Sequence, residues 1–371
     1  MKFLARKVNT IFIMLGNSCN LNCVYCLQHP LVHHQIAQKK INPDIYDFIK
    51  EVSEENNGNI CRLHFYGGEP LLYYNQIKEI VKNTKDIPDI KYSIITNGKL
   101  LTDDKVEFFN KYDFQVAISW DGKNVLKTRH FDVFNPKNPL RRRIMRIDNL
   151  TVTGVISSEV YPIELLESMQ EIVDEYYKLN NKYCMFNCDE VFDTGFEDNC
   201  RYIIDDLDLD RVYSEMTELT NNFIKTFSEN KDNSNKFDLK LIYIRQLINQ
   251  INYFLENMDK VLNKSLCKCT NGYNVLNMDL NGNLYKCHNT SEEAATIYDD
   301  YTTYLSSILQ SDTTKERMHT RCKDCPVVGL CAGGCKLITD EVLDKSYCNF
   351  KKAMYYPILE CLQKYGETLN G

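Results

Sequence analysis

Short apolar runs recur along the first 190 residues, separated in most places by stretches whose apolar positions repeat with a helical period. "TIFIML" (10–15) predicts a strand that ends directly in a loop. "NPDIYDFIKEVSEE" (42–55) predicts a helix with Asn42 as cap, Pro43 in the first turn, and Ile45, Phe48, Ile49 and Val52 on one face. Further strands are predicted at 60–66, 91–97, 114–120, 150–157 and 183–188, with helical patterns such as "QIKEIVKN" and "DDKVEFFNK" between them. Six parallel strands with intervening helices imply an α/β fold, a barrel or partial barrel. In such folds chemistry collects at the C-terminal ends of the strands.

The pattern changes near residue 191. An acidic stretch follows, then two long helical segments at about 209–229 and 238–263, and from Leu266 onward the chain is dense in cysteine. Three regions are expected: 1–190, the barrel; 191–264, an acidic and largely helical bridge; and 265–371, a cysteine-rich domain ending in a helix. No internal repeat or low-complexity linker marks the boundaries.

Composition narrows the class. The net charge of −7 argues against a general nucleic-acid binder. The cluster Arg141, Arg142, Arg143 and Arg146 is a local exception that reads as a solvated basic face. The longest apolar run near the N-terminus, Ile11 to Leu15, is too short for a membrane span or a signal-peptide core, so a cytoplasmic protein with no membrane contact is expected.

Sixteen cysteines are the outlying feature. In a reducing compartment, metal ligation is the better default than disulfides. Cys61, Cys184, Cys188, Cys200 and Cys361 lie outside any metal-like spacing and read as small buried apolar residues. The remaining eleven fall into two groups. The first is "GNSCNLNCVYCLQHP", with Cys19, Cys23 and Cys26 spaced CxxxCxxC. A closed zinc or iron–sulfur site normally takes four protein ligands, so three leave one metal position for a substrate or cofactor.

This loop, with Tyr25 before its last cysteine and a strand before it, resembles the radical S-adenosylmethionine (SAM) superfamily. "YGGEP" (66–70) resembles that family's GGE-type element, which brings in Gly67, Gly68, Glu69 and Pro70 around the methionine amino group. "TNG" (96–98) and "SWDG" (119–122) resemble the ends of the third and fourth strands. The resemblance implies Asn97 and Ser119 near the ribose and carboxylate of SAM, Asp121 within the same site, Arg129 paired with that carboxylate, and Val155 and Ile156 near the adenine. It also implies the chemistry: a [4Fe-4S] cluster with one open iron cleaves SAM to a 5′-deoxyadenosyl radical, which takes a hydrogen atom from an unactivated C–H bond.

The second group is Cys267, Cys269, Cys287, Cys322, Cys325, Cys331, Cys335 and Cys348, with Gly282 before Cys287. Its order is similar to the seven-cysteine SPASM extension found behind many radical SAM enzymes. The expected architecture is thus a partial (β/α)6 TIM-like barrel followed by a cysteine-rich SPASM iron–sulfur domain. By that resemblance Cys322, Cys325, Cys331 and Cys348 hold a second auxiliary cluster. Cys287 and Cys335, with Cys267 or Cys269 or both, hold a first, for three [4Fe-4S] clusters in all. Two zinc sites are the alternative reading of eight thiolates.

SPASM relatives modify peptides or proteins, which implies a peptide or protein substrate, a low-potential reductant such as flavodoxin or ferredoxin, and oxidative crosslinking, thioether formation or a similar side-chain change. Sulfatase-type formylglycine formation is the runner-up. Those enzymes carry an aspartate base directly after the cysteine of the GxxxxC element, where this chain has His288. His288 is the candidate base here, or simply a polar residue beside a cluster. The first strand starts too early for an N-terminal leader-binding domain, so either the partner peptide binds the barrel and bridge directly or a separate leader-recognition protein delivers it. The acidic stretch Glu197–Asp210 reads as a basic-leader contact or as a solvated segment. Two further readings stay open: radical chemistry on a small metabolite, and a non-catalytic iron–sulfur electron carrier or redox sensor.

Overall fold

The computed structural model describes residues 8–28, 31, 40–55, 60–191, 204–228, 237–256, 274–310, 316–317, 320–336 and 338–370. Cys200, Cys267, Cys269, residues 197–203 of the acidic stretch and the end of the helix expected to reach residue 263 lie outside them.

Six parallel strands form as the alternation predicts: β1 (Thr10–Met14), β2 (Cys61–Tyr66), β3 (Ile90–Thr96), β4 (Gln115–Ser119), β5 (Asn149–Ile156) and β6 (Met185–Glu190). Helices Asp44–Glu55, Tyr74–Thr84, Asp103–Lys111 and Pro162–Asn180 lie between them. Every second strand residue, including Ile11, Ile13, Leu63, Phe65, Ile94, Val116, Ile118 and Val152, is buried in one core with helix residues such as Ile49, Ile80, Phe109 and Leu165. At roughly 1.5–3 kcal/mol per large apolar side chain removed from water, this layer dominates stability.

The other strand face is polar and half-open. It carries Phe12, His64, Tyr66, Ser93, Gln115, Ser119, Thr151, Thr153, Asn187 and Asp189, aligned by the strand register. A concave face of this composition suits a ligand rather than a core. At its N-terminal mouth opens a cavity of about 350 Å³, lined among others by Arg62, Lys91, Gln115, Thr151 and Lys182.

The sheet does not stop at the barrel. β7 (Val275–Asp279) pairs parallel with β1, and β8 (Asn283–Tyr285) and β9 (Glu293–Thr296) continue antiparallel, giving the order β6-β5-β4-β3-β2-β1-β7-β8-β9. The cysteine-rich region therefore grows from the free edge of β1 instead of following the barrel as a detached unit. Cysteine spacing had masked these three strands in the sequence, because β8 and β9 are only three and four residues long. The C-terminal helix Cys348–Asn370 packs on helix Leu209–Ser228, where Tyr213 donates to Glu360.

The local outliers of the sequence find plain places. Arg141 is paired with Glu175, and Arg143 and Arg146 with Asp103. Cys61, Cys184 and Cys361 are buried, and Cys188 lies 3.8 Å from the Met169 sulfur. Among the described residues, no helix is long and apolar enough to cross a membrane.

Candidate functional site

The cysteine loop leaves β1 at Gly16 and is held from both sides. On one side the Gly68 N–H donates to Gly16 O (3.0 Å), the Glu69 N–H to Ser18 O (2.8 Å), and the Ser18 N–H to the Tyr73 hydroxyl (3.1 Å). A Cβ on Gly67 would stand 2.4 Å from Gly16 O, and one on Gly68 2.4 Å from Ser18 O. The two glycines thus admit the loop's own backbone; close approach to a ligand is not what requires them on this side. Gly67 also has φ +150°, which L side chains rarely adopt. A Gly68→Ala variant is expected to lose about 1–3 kcal/mol through overpacking and to bind less iron per chain, measured by denaturant unfolding and metal analysis. Unchanged stability and iron would remove this role.

Glu69 is buried, and its carboxylate accepts from the Leu71 N–H (2.9 Å), the Thr96 hydroxyl (2.6 Å) and the Asn97 N–H (2.9 Å). It locks the end of β2 to the end of β3, with Pro70 opening the 3₁₀ turn behind it. The Asn97 side chain donates to Asn20 Oδ1 (2.8 Å). Asn20 Nδ2 is itself buried without a protein acceptor, a vacancy a polar cofactor satisfies.

On the other side the Val24 N–H donates to Thr128 O (3.0 Å), and the Tyr25 hydroxyl donates to Asp121. Asp121 is fully buried and also accepts from Thr128 Oγ1 (2.6 Å), Arg129 Nε (2.9 Å) and the Val155 N–H (3.0 Å). Burial works against the Arg129 charge, but Asp121, Tyr25 and Cys23 more than offset it and keep the guanidinium protonated. Five expected site residues are thereby linked: Tyr25, Asp121, Arg129 and Val155 in one network, with Cys23 beside it. Ser119 stands on the concave face opposite Thr153.

No disulfide joins the described cysteines. Cys19, Cys23 and Cys26 are electrostatic neighbours; burial pushes the Cys19 thiol up to about 11 and Cys23 to about 12. Burial thus favours the protonated thiols of Cys19 and Cys23, and bound iron would supply the positive charge that makes thiolates stable there. Among the described residues, no three His, Cys, Asp or Glu side chains converge as on a single metal ion. An all-thiol loop of this kind fits a [4Fe-4S] cluster with SAM at the strand ends.

The C-terminal cysteines approach from two places. Cys287 follows β8 and neighbours Tyr66, which also neighbours Cys26. Gln28 Nε2 donates to His288 O (3.1 Å), and the Tyr66 hydroxyl to Asn289 Oδ1 (3.0 Å), so the two cysteine loops are tied together. The His288 ring stacks on Phe12 (4.3 Å, 9°), meets Tyr66 edge-on (4.7 Å) and lies 3.3 Å from Asn277 Oδ1. Burial pulls its imidazole down to about 4.

Farther along, Cys322, Cys325 and Cys348 are electrostatic neighbours, while Cys331, Cys335 and Cys348 pack on a small core of Ile338, Val342, Leu343 and Tyr347. Arg317, 5% exposed, joins these segments. Its carbonyl accepts from the Cys322 N–H (2.9 Å), and its guanidinium donates to Cys335 O (3.0 Å) and to Ile338 O.

Sequence reasoning missed Gln28, His64, Tyr66, Asp189 and Arg317. Tyr66 directly precedes Gly67, and Asp189 occupies the third outward position of β6, so adjacency and strand alternation were the available signals.

Residues 13–174 match the family model of the Radical SAM superfamily. The chain carries a radical SAM domain. Radical SAM proteins of this kind bind a [4Fe-4S] cluster and SAM. The chain is similar over nearly its whole length to the cysteine-type anaerobic sulfatase-maturating enzyme of Clostridium novyi, at 24% identity over 95% of this chain and 96% of that one. Its fold is shared with anSMEcpe with bound AdoMet (TM-score 0.64, 20% identity, 96% of this chain and 98% of that one). It is also shared with Streptococcus suis SuiB bound to precursor peptide SuiA (TM-score 0.55, 14% identity, 90% and 72%). Several other curated relatives are matched over only 28% to 54% of their own length.

Proposed function

We propose that this radical SAM enzyme oxidatively modifies a side chain of a ribosomally made peptide or protein, forming a crosslink, a thioether or a similar bond. The observation that carries the reading is the junction of the two cysteine loops on the concave face, through Gln28, His288, Tyr66 and Asn289. Cys19, Cys23 and Cys26 would hold the cluster, which with SAM would supply the radical that removes a hydrogen atom. Two auxiliary clusters on the C-terminal cysteines would take up the second electron, which gives a physical reason for having them. The half-open polar concave face, with a cavity at its N-terminal mouth, suits a substrate larger than a metabolite. Relatives named as sulfatase maturases, and SuiB with its precursor peptide, support the substrate class. The partners expected are the peptide or protein substrate and a flavodoxin or ferredoxin reductant, in the cytoplasm.

Formylglycine formation is the second reading, favoured by the full-length likeness to the Clostridium novyi enzyme. His288 in place of the aspartate, stacked between aromatic rings, counts against it.

The test is the intact mass of short peptides encoded beside this gene, co-expressed anaerobically with wild type or Cys23→Ala. Loss of two hydrogens with wild type alone is the expected result; unchanged mass in both sinks the oxidative reading. Metal analysis of the same enzyme is expected to give roughly twelve irons per chain for three clusters. Roughly four irons, with zinc, would leave only the SAM cluster.

A further inference from the structure

A carbon radical becomes an oxidised product only if a proton and an electron leave the substrate, and the proton needs an acceptor at the strand ends. Four nearby carboxylates are engaged elsewhere. The Glu69 carboxylate ties the end of β2 to the end of β3, and Asp121 holds the cysteine loop through Tyr25. Asp279 organises its own turn by accepting from the Asn281 and Asn283 N–H groups (2.9 and 3.0 Å). Glu190 is paired with buried Lys351 and accepts from the Tyr355 hydroxyl.

Asp189 differs. It faces the opposite way from Glu190 on β6, pairs in register with Val155, and is exposed on the concave face while protein surrounds it on most sides. Tyr66, the residue between Cys26 and Cys287, lies within its electrostatic reach, as do Arg129, Lys351 and Tyr243. Asn187 and Thr153 hydrogen-bond it from the same face.

We propose that Asp189 is the proton acceptor of the oxidation, facing the substrate across the concave surface from Tyr66. This rests on the oxidative reading above. After the hydrogen atom has been removed, the substrate carbon bonds to a substrate sulfur or oxygen. The heteroatom–hydrogen bond breaks, its proton passes to a carboxylate oxygen of Asp189, and one electron leaves to a one-electron acceptor of the iron–sulfur class. Burial raises the Asp189 carboxyl above the ordinary range, which makes its carboxylate a stronger base than a surface aspartate. His288 is less available, because its ring is held between Phe12 and Tyr66.

The experiment uses anaerobically reconstituted holoenzyme, reduced with dithionite, and the neighbouring-gene peptide that loses two hydrogens with wild type. In Asp189→Asn the ratio of oxidised peptide to 5′-deoxyadenosine is expected to fall about 100-fold, and in Asp189→Glu to recover to within about tenfold. Iron per chain and SAM affinity are measured on the same preparations and are expected to remain. A wild-type ratio in Asp189→Asn overturns the proposal. So does product loss that merely tracks lost iron, since that is a folding defect. If wild type itself oxidises no peptide, the underlying reading fails and takes this one with it.

Discussion

Asp121→Ala is expected to destabilise the protein by about 3–5 kcal/mol and to abolish stable iron binding at the first cysteine loop. The carboxylate is fully buried and gathers four donors: the Tyr25 hydroxyl from the loop, Thr128 Oγ1 and Arg129 Nε from the segment after β4, and the Val155 N–H from β5. Truncation leaves Arg129, 12% exposed, as a nearly buried charge without its partner. It also frees the loop on the side where only the Val24 N–H to Thr128 O bond (3.0 Å) would remain of the contacts described. Asp121→Asn keeps the shape and loses the charge, so its cost is expected to be smaller. Denaturant unfolding of the metal-free chain under reducing conditions, followed by iron analysis after reconstitution, gives both numbers. A loss under about 1 kcal/mol with full iron content would mean that the network is not what holds the loop.

Lowering the pH from 6.5 toward 3 is expected to cost about 4–5 kcal/mol of stability through His64 alone. His64 lies on the concave face of β2, 4.5 Å from Phe12, with Nδ1 2.7 Å from Ser93 Oγ and Nε2 buried without a protein partner. Burial, with the positive charge of His288 and Arg62 adding to it, holds its imidazole down to about 3. The unfolded chain takes up that proton near 6.5, so between these values the unfolded state binds more protons. Stability is therefore complete above about pH 6.5 and falls by about 1.4 kcal/mol for each pH unit below it. His64→Phe keeps a ring against Phe12 and removes the titration. Between pH 6.5 and 5 its stability curve is expected to be flatter than wild type by about 2 kcal/mol. Superimposable curves for the two proteins would show that His64 is not the group responsible.

The arrangement as a whole is economical in residues. The loop that carries Cys19, Cys23 and Cys26 has little secondary structure of its own, and its shape comes from partners at the ends of β2, β3 and β4. Mutations in those partners should therefore appear as metal-binding defects together with losses of stability.

Much of this was legible in the sequence because the signals are local. Strand alternation and helical periodicity depend on residues a few positions apart, so β1–β6 and the three helices expected by residue, Asp44–Glu55, Tyr74–Thr84 and Asp103–Lys111, fall within two residues of expectation. The spacing of Cys19, Cys23 and Cys26 fixes three thiols on one loop for the same reason, and YGGEP lies at a strand end because the apolar run stops at Tyr66. What the sequence could not carry was pairing between distant segments. Nothing local in "VLNMD" says that it seeks the free edge of β1, or that Cys287 and Cys26 come to neighbour the same residue, Tyr66. Nor does it reveal that the glycines of YGGEP make room for Gly16 and Ser18, that Asp121 serves Tyr25 and Arg129 together, or that Asp189 and Glu190, adjacent in the chain, face the concave surface and a buried lysine respectively. Local chemistry determined which residues are capable of the reaction. Long-range backbone pairing and burial decided which of them meet, because only the folded sheet brings together groups hundreds of residues apart and removes the water between them.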